Sequence, residues 1–440
     1  ISLGVKEFLY LSDTPKIKKD YKYASKLLSK VTSHKDLFKI KLPNDLPPLI
    51  LYDTVLKLTK NPQPKLNSEI WIEALAQVYQ LDRFYKKLFL KRSISNIIVS
   101  HPWKNEFGML LSAAFQKKIN CYFVYSTNEM MRIKRISNFK SLLQNPYEAI
   151  SFEKYNSLPK KLRQNFIKAG QNYIDSRSKG YSTDINVQKA YSNKLARSEF
   201  LKRNGISRNR PIVTVFCHAW YDYPHNFGMK NFTDFLDWIK ITYEIALKNK
   251  NVTWIFKPHP TETWYGGFYL KNLIKKSPNH IFIINEKTSV ETILDITNSI
   301  ITVHGTIAIE ACVRGIPVIA ADRSYYSDWN IAETMLSRKE YIDRLTNISA
   351  HKKIITKEMK NNAKAFAYLS LAPAEEEIKI KRLVSDHLEP TRIFKDLIKN
   401  LNDDELIQMQ RELILDWINS KSENFCLYHK IKFHTFKNKK

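Results

Sequence analysis

Apolar residues follow two rhythms along this chain. From residue 211 onward, short and nearly continuous apolar runs alternate with stretches spaced as an amphipathic helix; before about residue 205 the rhythm is weaker. The run 212–216 predicts a buried strand. Residues 231–248 follow it, with Phe232, Phe235, Leu236, Ile239, Tyr243 and Leu247 on one helical face. Further strands are predicted at 252–256, 281–284, 300–303 and 317–321, with helices at 289–298 and 306–314. This alternation is the grammar of a doubly wound parallel sheet.

The first half reads less sharply. Runs at 7–11 and 37–40 are strand candidates, a Lys-rich helical stretch lies at 21–31, and Pro47-Pro48 introduces the apolar run 49–56. An amphipathic helix is predicted over 68–89. A strand at 97–100, a helix at 106–118 and a strand at 121–124 form the clearest unit, again the pattern of a parallel sheet. From about 130 to 205 the chain is polar, basic and mostly helical in pattern, closing on the turn signal Asn204-Gly205. That stretch is expected to be the tail of a first domain plus a linker. Beyond 355 the pattern is helical, strongly amphipathic over 405–417, with a basic tail at 429–440. The expected domains are 1–205, 206–385 and 386–440.

Length and composition fit this division. The chain's 440 residues are 43% hydrophobic and 26% charged, enough for two domains with proper cores. Net charge is +28, from 71 Lys and Arg against 43 Asp and Glu. Such an excess bears on partners: nucleic acid, an anionic membrane surface, or an acidic or phosphate-bearing substrate. Scattered lysine from compositional bias gives the same total. The cysteines Cys121, Cys217, Cys312 and Cys426 are far apart and form no CxxC pair, which points away from a disulfide framework or zinc site and toward a reducing cytoplasm. No run of about 18 apolar residues and no signal-peptide pattern occurs. The expected setting is cytoplasmic, with peripheral attachment to the inner membrane as an option.

Ligands of open α/β sheets bind beyond the carboxyl ends of the strands, and three such loops here are rich in reactive side chains. The first, 217–228, holds His218, Asp222 and His225 with four aromatics. The second is Lys257-Pro258-His259-Pro260, where prolines stiffen the presentation of two anion-binding groups. Its continuation, 261–267, contains the chain's Gly-Gly pair, a candidate mobile element. The third, His304-Gly305-Thr306, leads into a helix whose N-terminus Thr306 is expected to cap, offering N–H groups to an anion. Glu310 lies one turn inside as a candidate acceptor for ribose hydroxyls. Ser289 and Glu291, after the strand at 281–284, are candidate base or ribose contacts, and a helix cap explains Ser289 equally well.

His304-Gly305-Thr306, Glu310 and Gly315-Ile316-Pro317-Val318, preceded by Lys257-Pro258-His259-Pro260, resemble the C-terminal domain of bacterial capsule polysaccharide biosynthesis proteins. That group is similar to GT-B glycosyltransferases, including Kdo transferases, and shares a His-Pro dipeptide with bacterial sialyltransferases. The resemblance spans about residues 211–325. It implies a GT-B α/β fold, two Rossmann-like doubly wound domains facing a cleft with C-terminal helices packing back. It also implies an inverting, metal-independent transfer from a nucleotide sugar, with no resident cofactor. On that resemblance His259 contacts the donor phosphate, and Gly305, Thr306 and Glu310 hold the nucleotide. Lys257, His304, Ser289 and Glu291 complete the expected donor set.

Inverting transfer needs a base on the acceptor hydroxyl and a positive field at the departing phosphate. Candidates for the base are Glu106 and His101, after the strand at 97–100, and His218 or Asp222; Glu106 is preferred. Asp403-Asp404 opens a helix, where acidic residues serve as caps, so no metal is expected. A CMP-linked ulosonic acid such as Kdo is the favoured donor, with a UDP-sugar second, and the acceptor is an acidic or lipid-linked glycan. Rivals are a CDP-polyol phosphate transferase or nucleotide-sugar epimerase of the same fold, and a basic nucleic-acid-binding protein.

Overall fold

The structure is a computed structural model. It describes residues 7, 9–11, 17–66, 68–127, 130–144, 150–181, 188, 190–192, 194–207, 209–226, 228–262, 270–274, 277–348, 354–378, 380, 390–401 and 403–437. Internal contacts divide the chain into two compact units, 1–123 with 136–139 and 221–225, and 124–135 with 140–220 and 226–440.

In the first unit, helices α1 (Lys18–Leu28), α2 (Pro48–Thr59) and α3 (Glu69–Lys91) precede β1 (Asn96–Val99), α4 (Asn105–Gln116) and β2 (Asn120–Thr127). Strands β1 and β2 pair in parallel, Asn96 with Asn120 through Val99 with Phe123, as the strand–helix–strand pattern predicts. The core gathers Leu28, Val55, Trp71, Leu75 and Met109.

Two early expectations fail here. Residues 37–40 form no strand, because Ser33 accepts the Asp36 N–H and starts a turn of helix, His34–Leu37. The described residues of 7–11 form no strand either. The run 49–56 is helical, with Pro48 in the first turn, where its missing N–H is harmless. Ile50, Leu51, Tyr52, Asp53, Thr54, Val55 and Leu56 are all buried, so this helix shows no amphipathic period to read.

The second unit contains β3 (Met130–Ile136) and α5 (Lys160–Ser178), then β4 (Ile212–Phe216), α6 (Phe235–Lys248), β5 (Thr253–Lys257) and β6 (Ile281–Ile283). After these come α7 (Val290–Ile296), β7 (Ser299–Thr302), α8 (Ile307–Arg314), β8 (Val318–Ala320), β9 (Glu333–Thr334) and α9 (Lys357–Phe366). Strand β3 replaces the expected helical pattern at its position. It hides cations: Arg132 and Lys134 are buried, Arg132 donating to the Ala372 carbonyl at 2.7 Å and Lys134 pairing with Glu423 at 3.0 Å.

Strands β4–β9 form one sheet in the order β6-β5-β4-β7-β8-β9. Every pair is parallel. Counted from β4, that is 3-2-1-4-5-6, the doubly wound dinucleotide-fold order. The fold is α/β with parallel sheets, as expected. The contact division differs from the boundary expected near 205, because residues 140–220 count with the second unit. Helix α5 explains this, since Phe166 shares a core with Ile309, Trp329 and Phe366.

Helices α10 (Pro390–Leu401), α11 (Asp404–Ser420) and α12 (Phe425–Lys437) close the chain. Lys430 on α12, fully buried, donates to the Tyr368 and Ala372 carbonyls at 2.7 Å each. Between α5 and α9 the backbones nearly touch at Gly170, where a Cβ would stand 1.8 Å from the Lys364 carbonyl oxygen. Gly170→Ala must force these helices apart. It is expected to lower unfolding stability by about 2 kcal/mol in a denaturant titration, the usual scale of overpacking. A melt unchanged from the parent would show that the crossing relaxes freely.

Candidate active site

The sheet order creates a switch point between β4 and β7, whose onward connections leave on opposite faces and open a crevice at the carboxyl edge. His218 follows β4 and Thr302 ends β7. The Thr302 Oγ1 lies 3.2 Å from His218 Nε2 and accepts the Gly305 N–H at 3.3 Å. His218 Nε2 also faces the N–H groups of Val303 and His304, at 3.3 and 3.5 Å. An atom facing backbone donors is an acceptor, so this imidazole is neutral with its proton on Nδ1. The ring stacks on Phe235 at 4.5 Å and lies 4.6 Å from the His304 ring. Burial, then the neighbouring His304 and His259, hold its pKa well below the usual histidine value.

Gly305 is required by space. A Cβ there would meet Thr302 Oγ1 at 2.8 Å, against the hydroxyl that organises the turn. Thr306 departs from expectation: it has helical backbone angles and makes no side-chain cap on α8. A residue already in the helical region cannot swing its hydroxyl back onto the first-turn N–H groups.

On the neighbouring strand, Lys257 ends β5 almost fully buried, its Nζ donating to the Glu286 carbonyl at 3.0 Å. Burial lowers its pKa to about 8. His259, half-buried, accepts the Thr261 N–H on Nδ1 at 3.2 Å, with the Thr261 hydroxyl at 2.7 Å. That fixes its neutral tautomer with the proton on Nε2. Residues 263–269, with the Gly-Gly pair, lie outside the described residues.

Ser289 is 1% exposed, and among the described residues its Oγ has no hydrogen-bond partner and does not cap α7. A buried hydroxyl without a partner is destabilising. The cap explanation for this serine therefore fails. Glu291 and Glu310 are differently placed. Glu291 is ion-paired with Arg314 and sits 3.8 Å from Lys194, while Glu310 takes Arg177 Nε at 2.6 Å. Both carboxylates are buried and engaged by arginine, which limits what they offer a ribose.

The structure brings His218, His304, Gly305 and Thr306 together at the switch point, with Lys257 and His259 one strand over. Glu106 and Asp222 belong to the first unit. Glu106 lies in the first turn of α4, its Oε2 enclosed and without a hydrogen-bond partner among the described residues. Asp222 is exposed and pairs with Lys57 at 3.3 Å. His101 contacts the Ser100 hydroxyl at 2.9 Å, and burial together with Lys104 and Lys57 lowers its pKa.

Several side-chain pairings gave no sequence signal. Glu262 accepts from Trp220 Nε1 at 2.9 Å and Leu270 N–H at 3.0 Å, tying the loops after β4 and β5. Asp322, after β8, accepts the Lys230 and Asn231 N–H groups at 2.8 and 2.6 Å. In the first unit, the buried pair Asp53–His225 is joined at 2.7 Å through Nδ1, and Asp53 also accepts the His225 backbone N–H. Only proximity in the fold reveals such pairs.

Among the described residues no helix is long and apolar enough to cross a membrane. No protein-family model matches the chain, and no curated protein matches it. Solved structures similar to it include the KpsC beta Kdo 2,4 transferase of Thermosulfurimonas dismutans, 14% identical with a TM-score of 0.42 over 64% of this chain and 85% of that one. The beta Kdo 2,7 transferase of the same protein is 13% identical, with a TM-score of 0.39 over 71% and 86%. The UDP-GlcNAc 2-epimerase of Methanocaldococcus jannaschii, solved with UDP-GlcNAc and UDP, is 15% identical, with a TM-score of 0.31 over 72% and 94%. At such scores these are likenesses and carry no assignment.

The depressed pKa of His218 has a signed consequence for stability. Near and below pH 6.5 the unfolded chain binds a proton that folded His218 refuses, so stability falls as pH drops through that value. Each pH unit below it removes up to about 1.4 kcal/mol for this group. Urea titrations at pH 7.5 and 5.5 are expected to show the loss, and His218→Gln is expected to flatten part of it. An identical slope in the variant would place the pH dependence elsewhere.

Proposed function

We propose that the second unit binds the nucleotide of a sugar donor at the carboxyl edge of β4, β5 and β7, and that the chain is an inverting GT-B glycosyltransferase. The observation that carries this reading is the switch point itself. There a glycine that tolerates no Cβ, two histidines and an uncapped helix opening stand beside a buried lysine and the His-Pro histidine. Those groups suit a phosphate-bearing ligand, which gains from fixed N–H donors and positive charge in a dry site.

Under this proposal Lys257 and His259 face the donor phosphate, Gly305 and Thr306 allow its close approach to the opening of α8, and Ser289 meets the base or ribose. Glu310, Glu291 and His304 shape the walls. His218, its acceptor nitrogen already directed at backbone donors, positions the turn. The base is then Glu106, with Asp222 as its competitor. The base takes the acceptor hydroxyl proton, the oxygen forms its bond to the anomeric carbon, and the carbon–oxygen bond to phosphate breaks. The electron pair leaves on the phosphate, where the positive groups hold it and need no metal to do so. The donor we favour is a CMP-linked ulosonic acid such as Kdo, transferred to a capsular or other surface polysaccharide.

Nucleotide thermal shifts test the donor. CMP at 100 times its dissociation constant should stabilise the chain by about 2.7 kcal/mol. Stabilisation by UDP without CMP would sink the ulosonic choice, and interconversion of a UDP-sugar without acceptor would establish an epimerase instead.

The Lys257 ammonium is present only below pH about 8, so donor KM is expected to rise as pH climbs through that value. Lys257→Arg should extend the plateau to higher pH, since guanidinium stays charged. For the base, Glu106→Gln should lower kcat by about 10²–10⁴ with donor binding kept. The same loss in Asp222→Asn, with Glu106→Gln active, would transfer the role to Asp222.

A further inference from the structure

One face of the first unit has no part in the donor site. Between the described residues of the N-terminal segment and the C-terminal half of α3 lies a groove of ≈ 470 Å³, with Leu9, Ile17, Phe84 and Leu88 among its lining and Lys87 and Lys91 beside them. The carboxylates there are already engaged: Glu7 pairs with Arg92 at 2.6 Å, and Asp20, buried, pairs with Arg83. The lysines have no such partner among the described residues. Helix α1, which packs on α3, adds exposed Lys18, Lys19, Lys22 and Lys26 and exposes no acidic residue. Large apolar side chains stand in the open on the same two elements and the segment before them. Leu90 is 80% exposed and Tyr10 65%, with Leu9 and Ile17 also exposed.

A soluble surface that mixes lysines with exposed leucine, isoleucine and tyrosine around an apolar groove is matched to a partner with both phosphate and hydrocarbon. We propose that this face docks on an anionic phospholipid bilayer. The lysines meet headgroup phosphates while Leu9, Ile17 and the groove take up interfacial hydrocarbon. Nucleic acid shares the phosphate chemistry but offers no counterpart for the apolar groove. Tyr23, on α1, meets Tyr79 edge-on at 5.0 Å and adds a further half-exposed ring to this face. The proposal is independent of the donor reading, since docking needs no nucleotide.

Vesicle sedimentation of the full chain tests it, with phosphatidylcholine alone and with ~30 mol% phosphatidylglycerol at about 0.15 M salt. Partitioning onto the anionic vesicles is expected to exceed that onto the neutral ones by roughly tenfold. Lys87→Glu with Lys91→Glu should remove most of that gain. Leu9→Ser with Ile17→Ser, all lysines kept, should lower it several-fold, which attraction by net charge alone would not produce. The pair Lys248→Glu with Lys250→Glu, in the second unit, controls for total charge and should bind as the parent does. All six positions are surface residues, and melting curves confirm that each variant folds. Equal binding to both vesicle types, parental binding by the Lys87 and Lys91 variant, or an equal loss in the control pair overturns the proposal. So does loss of duplex or single-stranded DNA binding in the Lys87 and Lys91 variant when vesicles are not bound, which would make this a nucleic-acid surface.

Discussion

The crevice of the second unit depends on one uncharged imidazole. His218 sits where β4 leaves the sheet, and its Nε2 faces the backbone N–H groups of Val303 and His304 and the Thr302 hydroxyl. Those contacts require a lone pair, and a protonated ring has none. The backbone that leaves β7, Val303 and His304, is held against that acceptor, and Thr302 links it to the Gly305 turn. Stacking on Phe235 and closeness to His304 reinforce the choice, since both a dry ring face and a neighbouring basic group disfavour a positive charge. A single protonation equilibrium is thus coupled to the shape of the loop where a ligand would bind.

Around this loop the helical layer is fastened by buried charge. Arg177 reaches from α5 to Glu310 on α8, and Arg314 of the same helix turns to Glu291 on α7. The Arg177–Glu310 pair, largely buried, contributes little net stability over an apolar contact, yet removing one partner strands the other charge at about 3–5 kcal/mol, whereas Arg314 is partly exposed and its pair is screened by solvent. They fix which helix lies against which, a matter of register and specificity. The cations Arg132 and Lys430 act similarly at the carbonyls of residues 368–372, where the dipole of the 367–371 helical turn is negative.

What could be read from the sequence follows from how many neighbours each element needs. Strands β4, β5, β7 and β8 are flanked by sheet on both sides and by helices on both faces, so they declare themselves as unbroken apolar runs. The strand-end filter then found His218, Lys257, His259 and Gly305 without any partner being known. Strand β3 was invisible, because Arg132 and Lys134 occupy buried positions that only distant carbonyls and Glu423 make tolerable. Helix α2 was ambiguous for a different reason, being buried on every side over residues 50–56. At Thr306 and Ser289 the residue type suggested a cap that the backbone angles or the hydroxyl's surroundings did not supply. The engagement of Glu310 with Arg177 depends on a residue 133 positions away, beyond any local pattern.

The five-residue stretch 221–225 counts with the first unit although the chain on either side counts with the second. Its anchor is His225 on Asp53, two buried side chains separated by 172 positions. During ribosomal synthesis Asp53 therefore emerges long before the group that neutralises it. Until then its carboxyl must remain hydrated or protonated, and burial does favour the protonated acid. The first unit thus draws its last contacts from a segment made after β4. Its last contacts have the high sequence separation that slows folding, and its completion is timed to the appearance of β4.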